Sequence, residues 1–298
     1  MDSTLLIAIL AGLGGMLGWG FSEFATKKSV DKIGTISSLV WAHIFGTAAL
    51  LSLLIVRFSA STTAISLHFS LNEWLGFVFF GSLQTIVYYF AYKAFEKGEV
   101  SILSPIFASF AGFVALFSIL LFGEVVHGSF VLALLIIFGG IILINLDVQS
   151  LKSSKIRLKG VKGLREILIA TALATIWTLG WSKFSVNQDW MVYTTFMFIF
   201  MTLSALVIAY ITKTSILVKN RAAWKFLLLI GLGEVVGYLA ITTGYSSTTH
   251  TSIVAVLSGA SSLPTILLAR IFLKERITVV QTVASAIIIL GIMVLAFV

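Results

Sequence analysis

The chain has 298 residues, of which 59% are hydrophobic and 11% charged, with a mean hydropathy of +1.08. Soluble domains carry about 25% charged residues, so this composition excludes a soluble globular protein. The net charge of +8 does not point to nucleic acid, because the basic residues sit in short stretches between apolar runs, which is a membrane pattern. The absence of cysteine excludes disulfides, thiol chemistry and thiolate metal sites.

A bilayer-spanning helix needs about 20 mostly apolar residues. Ten such runs follow one another, over roughly 4–25, 34–57, 72–94, 100–122, 127–146, 165–184, 191–212, 224–246, 251–273 and 278–297. Asp2 and no Lys or Arg precedes the first run. It lacks the basic start of a signal peptide and reads as a retained helix. Nothing sizeable remains for a soluble domain. The longest charged connector, Asp147 to Arg165, divides the chain into halves of five runs, residues 1–150 and 151–298. The expected fold is an all-α integral membrane protein of ten transmembrane helices.

The halves echo one another. Shifted by 151 places, Ser101 falls on Ser252, Ile102 on Ile253, Glu124 on Glu275 and Gly140 on Gly291, without a gap. Each copy reads as an apolar run, a turn with a glutamate (Phe122-Gly123-Glu124, Leu273-Lys274-Glu275-Arg276), and a second apolar run with a late glycine. The early helices match at an offset of 160, where Gly20, Ser22 and Phe24 align with Gly180, Ser182 and Phe184, and Glu23 faces Lys183. Five helices per half is an odd number, so homologous halves must lie in opposite orientations, as inverted-topology repeats.

The doubled five-helix unit resembles the EamA family of the drug/metabolite transporter superfamily. So do the Trp-Gly element late in the first helix and the Leu-Lys-Glu-Arg turn before a last helix with Gln281 and Gly291. The most specific piece is Phe272-Leu273-Lys274-Glu275-Arg276-Ile277-Thr278. Its first-half copy, Gly123-Glu124-Val125, lacks the basic residues. The resemblance covers nearly the whole chain. It implies ten helices, a central cavity and transport of small metabolites, without fixing a substrate.

Orientation follows from charge. The stretches after odd-numbered helices hold 18 of the 20 Lys and Arg, and those after even-numbered helices hold only Arg57 and Lys183. Short cytoplasmic loops carry the excess of basic residues, so both termini are expected outside. The resemblance implies both termini inside. The charge bias is lopsided enough to be preferred.

Glu234 leads the candidate functional residues. It lies about ten residues into the eighth run, in Gly231-Leu-Gly-Glu-Val-Val-Gly-Tyr238. A carboxylate at that depth costs roughly 2.5–3.5 kcal/mol on insertion scales, so it must face the bundle interior. The competing reading is a structural hydrogen bond in a small-residue seam, since Gly233 and Gly237 form a small-xxx-small pair. Tyr238 shares its face, four residues on. Gln84 and Tyr88 form a matching pair in the third run, one residue off the repeat equivalent of Glu234. Tyr89 and Tyr92 are expected to point elsewhere. His43, mid-way along the second run, could relay protons near neutral pH or simply pack.

Trp19 and Glu23 are four apart near the cytoplasmic end of the first run, and Trp177 and Trp181 four apart in the sixth, with Lys183 just beyond. An indole face beside a carboxylate suits an ammonium ligand through cation–π attraction. An interfacial aromatic belt with a snorkelling lysine would look the same in sequence. Glu124 and Glu275 read as turn residues at the membrane surface. No second His or carboxylate stands at metal-ligand spacing beside His43. No phosphate-binding glycine loop is present, because Gly12 to Gly18 lacks the Lys-Ser/Thr ending and a preceding strand.

The expected function is secondary transport of a small polar metabolite such as an amino acid or amine, by alternating access, with export favoured. The partners are then the substrate, the lipid bilayer and a proton or other coupling ion, with no cofactor, no metal and no nucleic acid. A multi-pass plasma-membrane protein able to work as a monomer is the matching localisation. A passive channel or structural membrane protein is the alternative. An integral-membrane enzyme would need a cluster of nucleophile, base or metal ligands, and four His with few buried acids argue against one.

Overall fold

The computed structural model describes residues 3–60, 67–98, 100–124, 128–143, 162–273 and 279–297. Its helices are α1 Ser3–Ile33, α2 Thr35–Ala60, α3 Leu71–Lys97, α4 Val100–Ala108, α5 Phe110–Phe122, α6 Gly128–Leu143, α7 Leu164–Phe184, α8 Trp190–Ile211, α9 Trp224–Ser247, α10 Thr251–Gly259, α11 Ser262–Leu273 and α12 Val279–Phe297. In hydrocarbon every backbone polar group must be satisfied internally, which forces long apolar runs into helices. Seven helical segments are long and apolar enough to cross a bilayer, and shorter apolar helices cover the remaining spans. The chain is an all-α membrane protein of ten spans.

Two details depart from the sequence reading. The first helix runs on to Ile33, well past residue 25. Lys27 bonds Asp31 one turn later at 2.8 Å and the Phe95 carbonyl of α3 at 2.9 Å, and the chain turns only at Gly34, whose φ of +78° suits glycine. Glu23 therefore lies well inside α1, not near its end. The fourth and ninth spans are each broken, at Ser109 and at Ala260–Ser261. Ser109 and Ala260 are 151 apart, so the break is part of the repeat. Serine hydroxyls compete with the helix ladder at both places: Ser109 Oγ bonds the Ile106 carbonyl and Ser258 Oγ the Ala255 carbonyl.

Packing between the halves follows a two-fold pattern. The first span, α1, packs on the eighth, α9, and the sixth span, α7, packs reciprocally on the third, α3. The second span meets the seventh (α2 with α8), the fourth meets the ninth (α5 with α10), and the fifth meets the tenth (α6 with α12). The glycines aligned in sequence show the reciprocity atom by atom. A side chain on Gly140 would collide with Ile288, and one on Gly291 would collide with Ile137. Gly140/Gly291 and Ile137/Ile288 are both related by the 151-residue offset. Gly18 and Gly237 let α1 and α9 meet backbone to backbone, as small residues do where membrane helices pack.

Candidate functional site

A narrow cavity lies where α1, α3, α7 and α9 converge on the breaks of the fourth and ninth spans. Trp19, Ser22, Glu23 and Thr26 of α1 line it, with Gln84, Tyr88 and Tyr92 of α3, Trp177 and Thr178 of α7, Tyr238 of α9 and Ser261. Its free volume is about 30 Å³. That admits water and is far below the roughly 300 Å³ at which ligand pockets begin. The conformation is closed around its centre.

Glu234 is fully buried at the seam of α9. The Tyr92 hydroxyl donates to its Oε1 at 2.8 Å, and Nε2 of the buried His43 lies 3.5 Å from Oε2. The α9 glycines explain this placement, since Ser22 packs directly against Gly233 and brings α1 flush with the carboxylate. One turn further, Tyr238 donates to the Tyr88 hydroxyl at 3.0 Å and accepts from Gln84 Nε2. Gln84, Tyr88 and Tyr92 occupy successive turns of one α3 face. That face meets the Glu234–Tyr238 face of α9, and a polar ladder runs across the boundary between the halves.

Aromatic rings close around this ladder. Trp19 meets Tyr238 edge to face with centroids 5.7 Å apart, and Trp177 meets it at 5.6 Å. His43 lies 5.6 Å from the Tyr88 ring. Trp181 stacks on Trp177 at 5.6 Å and donates to Thr242 Oγ1 at 3.1 Å, so it supports the cavity wall from behind. Trp177 donates to the Phe80 carbonyl at 3.0 Å. Trp19 Nε1 and Gln84 Oε1, both on cavity-lining residues, are buried without a hydrogen-bond partner among the described residues. Unpaired buried polar atoms are rare and call for an explanation.

Glu23 forms a second acidic centre. It accepts from Ser104 of α4, from Ser261 at 3.0 Å and from Thr265 of α11 at 3.3 Å. The broken spans of both halves are thus tied to one α1 carboxylate. A break frees hydroxyls and backbone to turn inward where an unbroken helix would present apolar side chains.

Of the sequence candidates, Glu234, Tyr238, Gln84, Tyr88, Trp19, Glu23, His43 and Trp177 gather at this place, and Trp181 sits one layer behind. Tyr92, expected to point elsewhere, is the direct donor to Glu234. Its spacing, eight residues after Gln84 and four after Tyr88, already put it on their face. Ser104, Ser261 and Thr265 had no sequence signal beyond being hydroxyls near the span breaks. Lys183 lies with its Nζ 3.9 Å from the Phe122 ring centroid, outside the cavity. Glu124 caps the start of α10, accepting from the Ser252 amide at 3.1 Å and its hydroxyl at 2.6 Å. Burial pushes the Glu124 carboxyl up, against the pull of those Ser252 bonds. Glu275 and the rest of its turn, 274–278, lie outside the described residues, as does most of the connector between the halves. His43 and Glu234 form a pair, and among the described residues no third His, Asp or Glu completes a metal-binding group.

The fold and this inter-half centre define a multi-pass membrane protein of transporter type. The sequence model of the EamA-like transporter family matches residues 6–146 and again 162–297, and the chain belongs to that family. A solved structure described as a crystal structure of a protein superposes with a TM-score of 0.75, covering 97% of this chain and 96% of its own at 18% identity. That likeness concerns the fold alone. No curated protein sequence matches the chain.

Proposed function

We propose that this chain is a secondary active transporter that exports a small polar metabolite bearing an ammonium group, an amino acid or amine, by alternating access. The observation that carries this reading is the cavity's make-up. Glu23 lines the cavity beside an aromatic wall, with an indole N–H and an amide oxygen unused among the described residues, and a second carboxylate, Glu234, lies just behind the Tyr92 hydroxyl. A carboxylate with aromatic faces attracts an ammonium by charge and by cation–π interaction. The free N–H and carbonyl offer one donor and one acceptor to the rest of the solute. Location between inverted halves is what rocking-type carriers use.

The tight centre is one end state of that cycle. On the side of the even connectors, Arg57 grips Asp189 with two bonds of 2.8 and 2.6 Å, and Glu124 holds Ser252. The cavity reaches toward Thr26 and Phe95, near the odd connectors, where Lys97 at the end of α3 pairs with Glu166 at the start of α7 at 2.5 Å. Those connectors are cytoplasmic on the charge bias, with both termini outside and each half, 1–150 and 151–298, moving as one unit in the plasma membrane. A gradient of protons or another ion supplies the energy, with the Glu234–His43 pair as the exchanging group.

Counterflow tests the reading. Proteoliposomes preloaded with one unlabelled amine or amino acid and diluted into trace label should transiently accumulate that label for the true substrate. Simple equilibration across the whole panel, with no overshoot, would indicate a channel and overturn the carrier mechanism.

A further inference from the structure

A second space, far larger than the central cavity, lies on the other face of α1. It is a groove of about 670 Å³ between α1, the start of α9 and α11, and it shares no lining residue with the central cavity. Three helical stripes build it. Phe21, Phe24, Lys28 and Lys32 follow one another at helical spacing along α1. Lys225 and Leu232 lie on α9, and Phe272 on α11. Helices α1 and α9 run antiparallel, so Lys28 and Lys32 late in α1 and Lys225 early in α9 stand at the same end. Phe21, Phe24 and Leu232 line the stretch away from that end. From Phe21 to Lys32 the groove follows eleven residues, about 16 Å at helical rise, comparable with half a bilayer's hydrocarbon thickness.

Among the described residues the charge at its mouth has no acidic partner: no ion pair involves Lys28, Lys32 or Lys225, whereas neighbouring Lys27 is bonded to Asp31. Lys225 instead lies over the Phe226 ring, 5.0 Å from its centroid. Phe21, Leu228, Leu232 and Phe272 are each at least 40% exposed, so an apolar wall and a basic rim face the membrane together. Basic pockets between membrane helices bind anionic headgroups.

We propose that this groove holds an anionic glycerophospholipid, with its phosphate among Lys28, Lys32 and Lys225 and an acyl chain along Phe21, Phe24 and Leu232. The bound lipid lies beside the α1–α9 contact at Ser22 and Gly233. It therefore bears on the one helix that also carries Glu23. A zwitterionic lipid carries its own ammonium and gains little from three lysines. A free phosphate compound would leave the apolar wall bare.

Delipidated protein in neutral detergent is titrated with phosphatidylglycerol, with phosphatidylcholine, and with glycerol phosphate. Bound lipid is read by native mass spectrometry and stability by melting temperature. Phosphatidylglycerol should be retained selectively and raise the melting temperature, and the other two should not. The triple variant Lys28→Gln, Lys32→Gln, Lys225→Gln should lose selectivity by on the order of a hundredfold, as expected for three basic residues near an anionic surface. The control Lys93→Gln, Lys213→Gln, Lys219→Gln removes equal charge elsewhere and should bind as the parent does. In the parent alone, rising salt should erode the preference for phosphatidylglycerol. Unchanged selectivity in the groove variant, equal retention of phosphatidylcholine, or stabilisation by glycerol phosphate alone would each overturn the proposal.

Discussion

Glu234 stands between a phenol that donates to it and an imidazole it does not quite reach. Such an environment can hold a carboxylate against a cation or hand its proton to water when the cavity opens. Glu234→Gln keeps shape and hydrogen-bonding ability while removing the charge. A hydrogen bond to a charged group contributes roughly 1.5–3 kcal/mol, so loss of a direct ammonium contact should weaken substrate affinity by about 10- to 150-fold. Lost accumulation with retained exchange assigns Glu234 the proton. Loss of both assigns it the substrate's cation. Transport like the parent's at every pH, in proteoliposomes of verified protein content, would make Glu234 structural.

At the scale of elements, the ends of the helices are fixed by polar devices that few apolar residues could replace. Asp189 caps α8, accepting from the Met191 and Val192 amides, while Arg57 from the end of α2 holds it at both oxygens. Partial burial works against its ionisation, but the Arg57 bonds and the capped amides hold the carboxyl below the usual range. A carboxyl depressed in the folded state stabilises above its unfolded pKa, and that contribution is lost as pH falls through the folded value. Both side chains are about a third exposed, so the pair is worth about 1 kcal/mol or less after solvent screening. Asn caps helices about as well as Asp, so Asp189→Asn removes the charge and spares the cap. The variant should melt up to about 2 °C lower at pH 7, with the gap to the parent closing below about pH 4. A gap that stays constant with pH would show that the pair does not act through charge.

For the whole molecule, the testable property is orientation. The chain has no cysteine, so single cysteines report without background. Ser153→Cys in the connector between the halves should be protected from an impermeant thiol reagent in intact cells, while Val298→Cys should be labelled. The reverse pattern would place both termini inside and invert the direction assigned to the closed side.

The number of spans, their inverted pairing and the buried acid Glu234 were legible in the sequence. Each depends on a local or periodic property: run length against bilayer thickness, an odd count per half, or a charge inside an apolar run. Gly140 and Gly291 could be paired by register alone, and the structure gives that pairing its physical content in the reciprocal seats for Ile288 and Ile137. Contacts between residues far apart in the chain were not legible. That Tyr92 reaches Glu234, that Ser104 and Ser261 meet on Glu23, and that Trp181 stands behind Trp177 depend on how α1, α3, α7 and α9 are rotated against one another. Helix rotation is set by packing small residues against neighbours across the halves, and only the tertiary structure decides it.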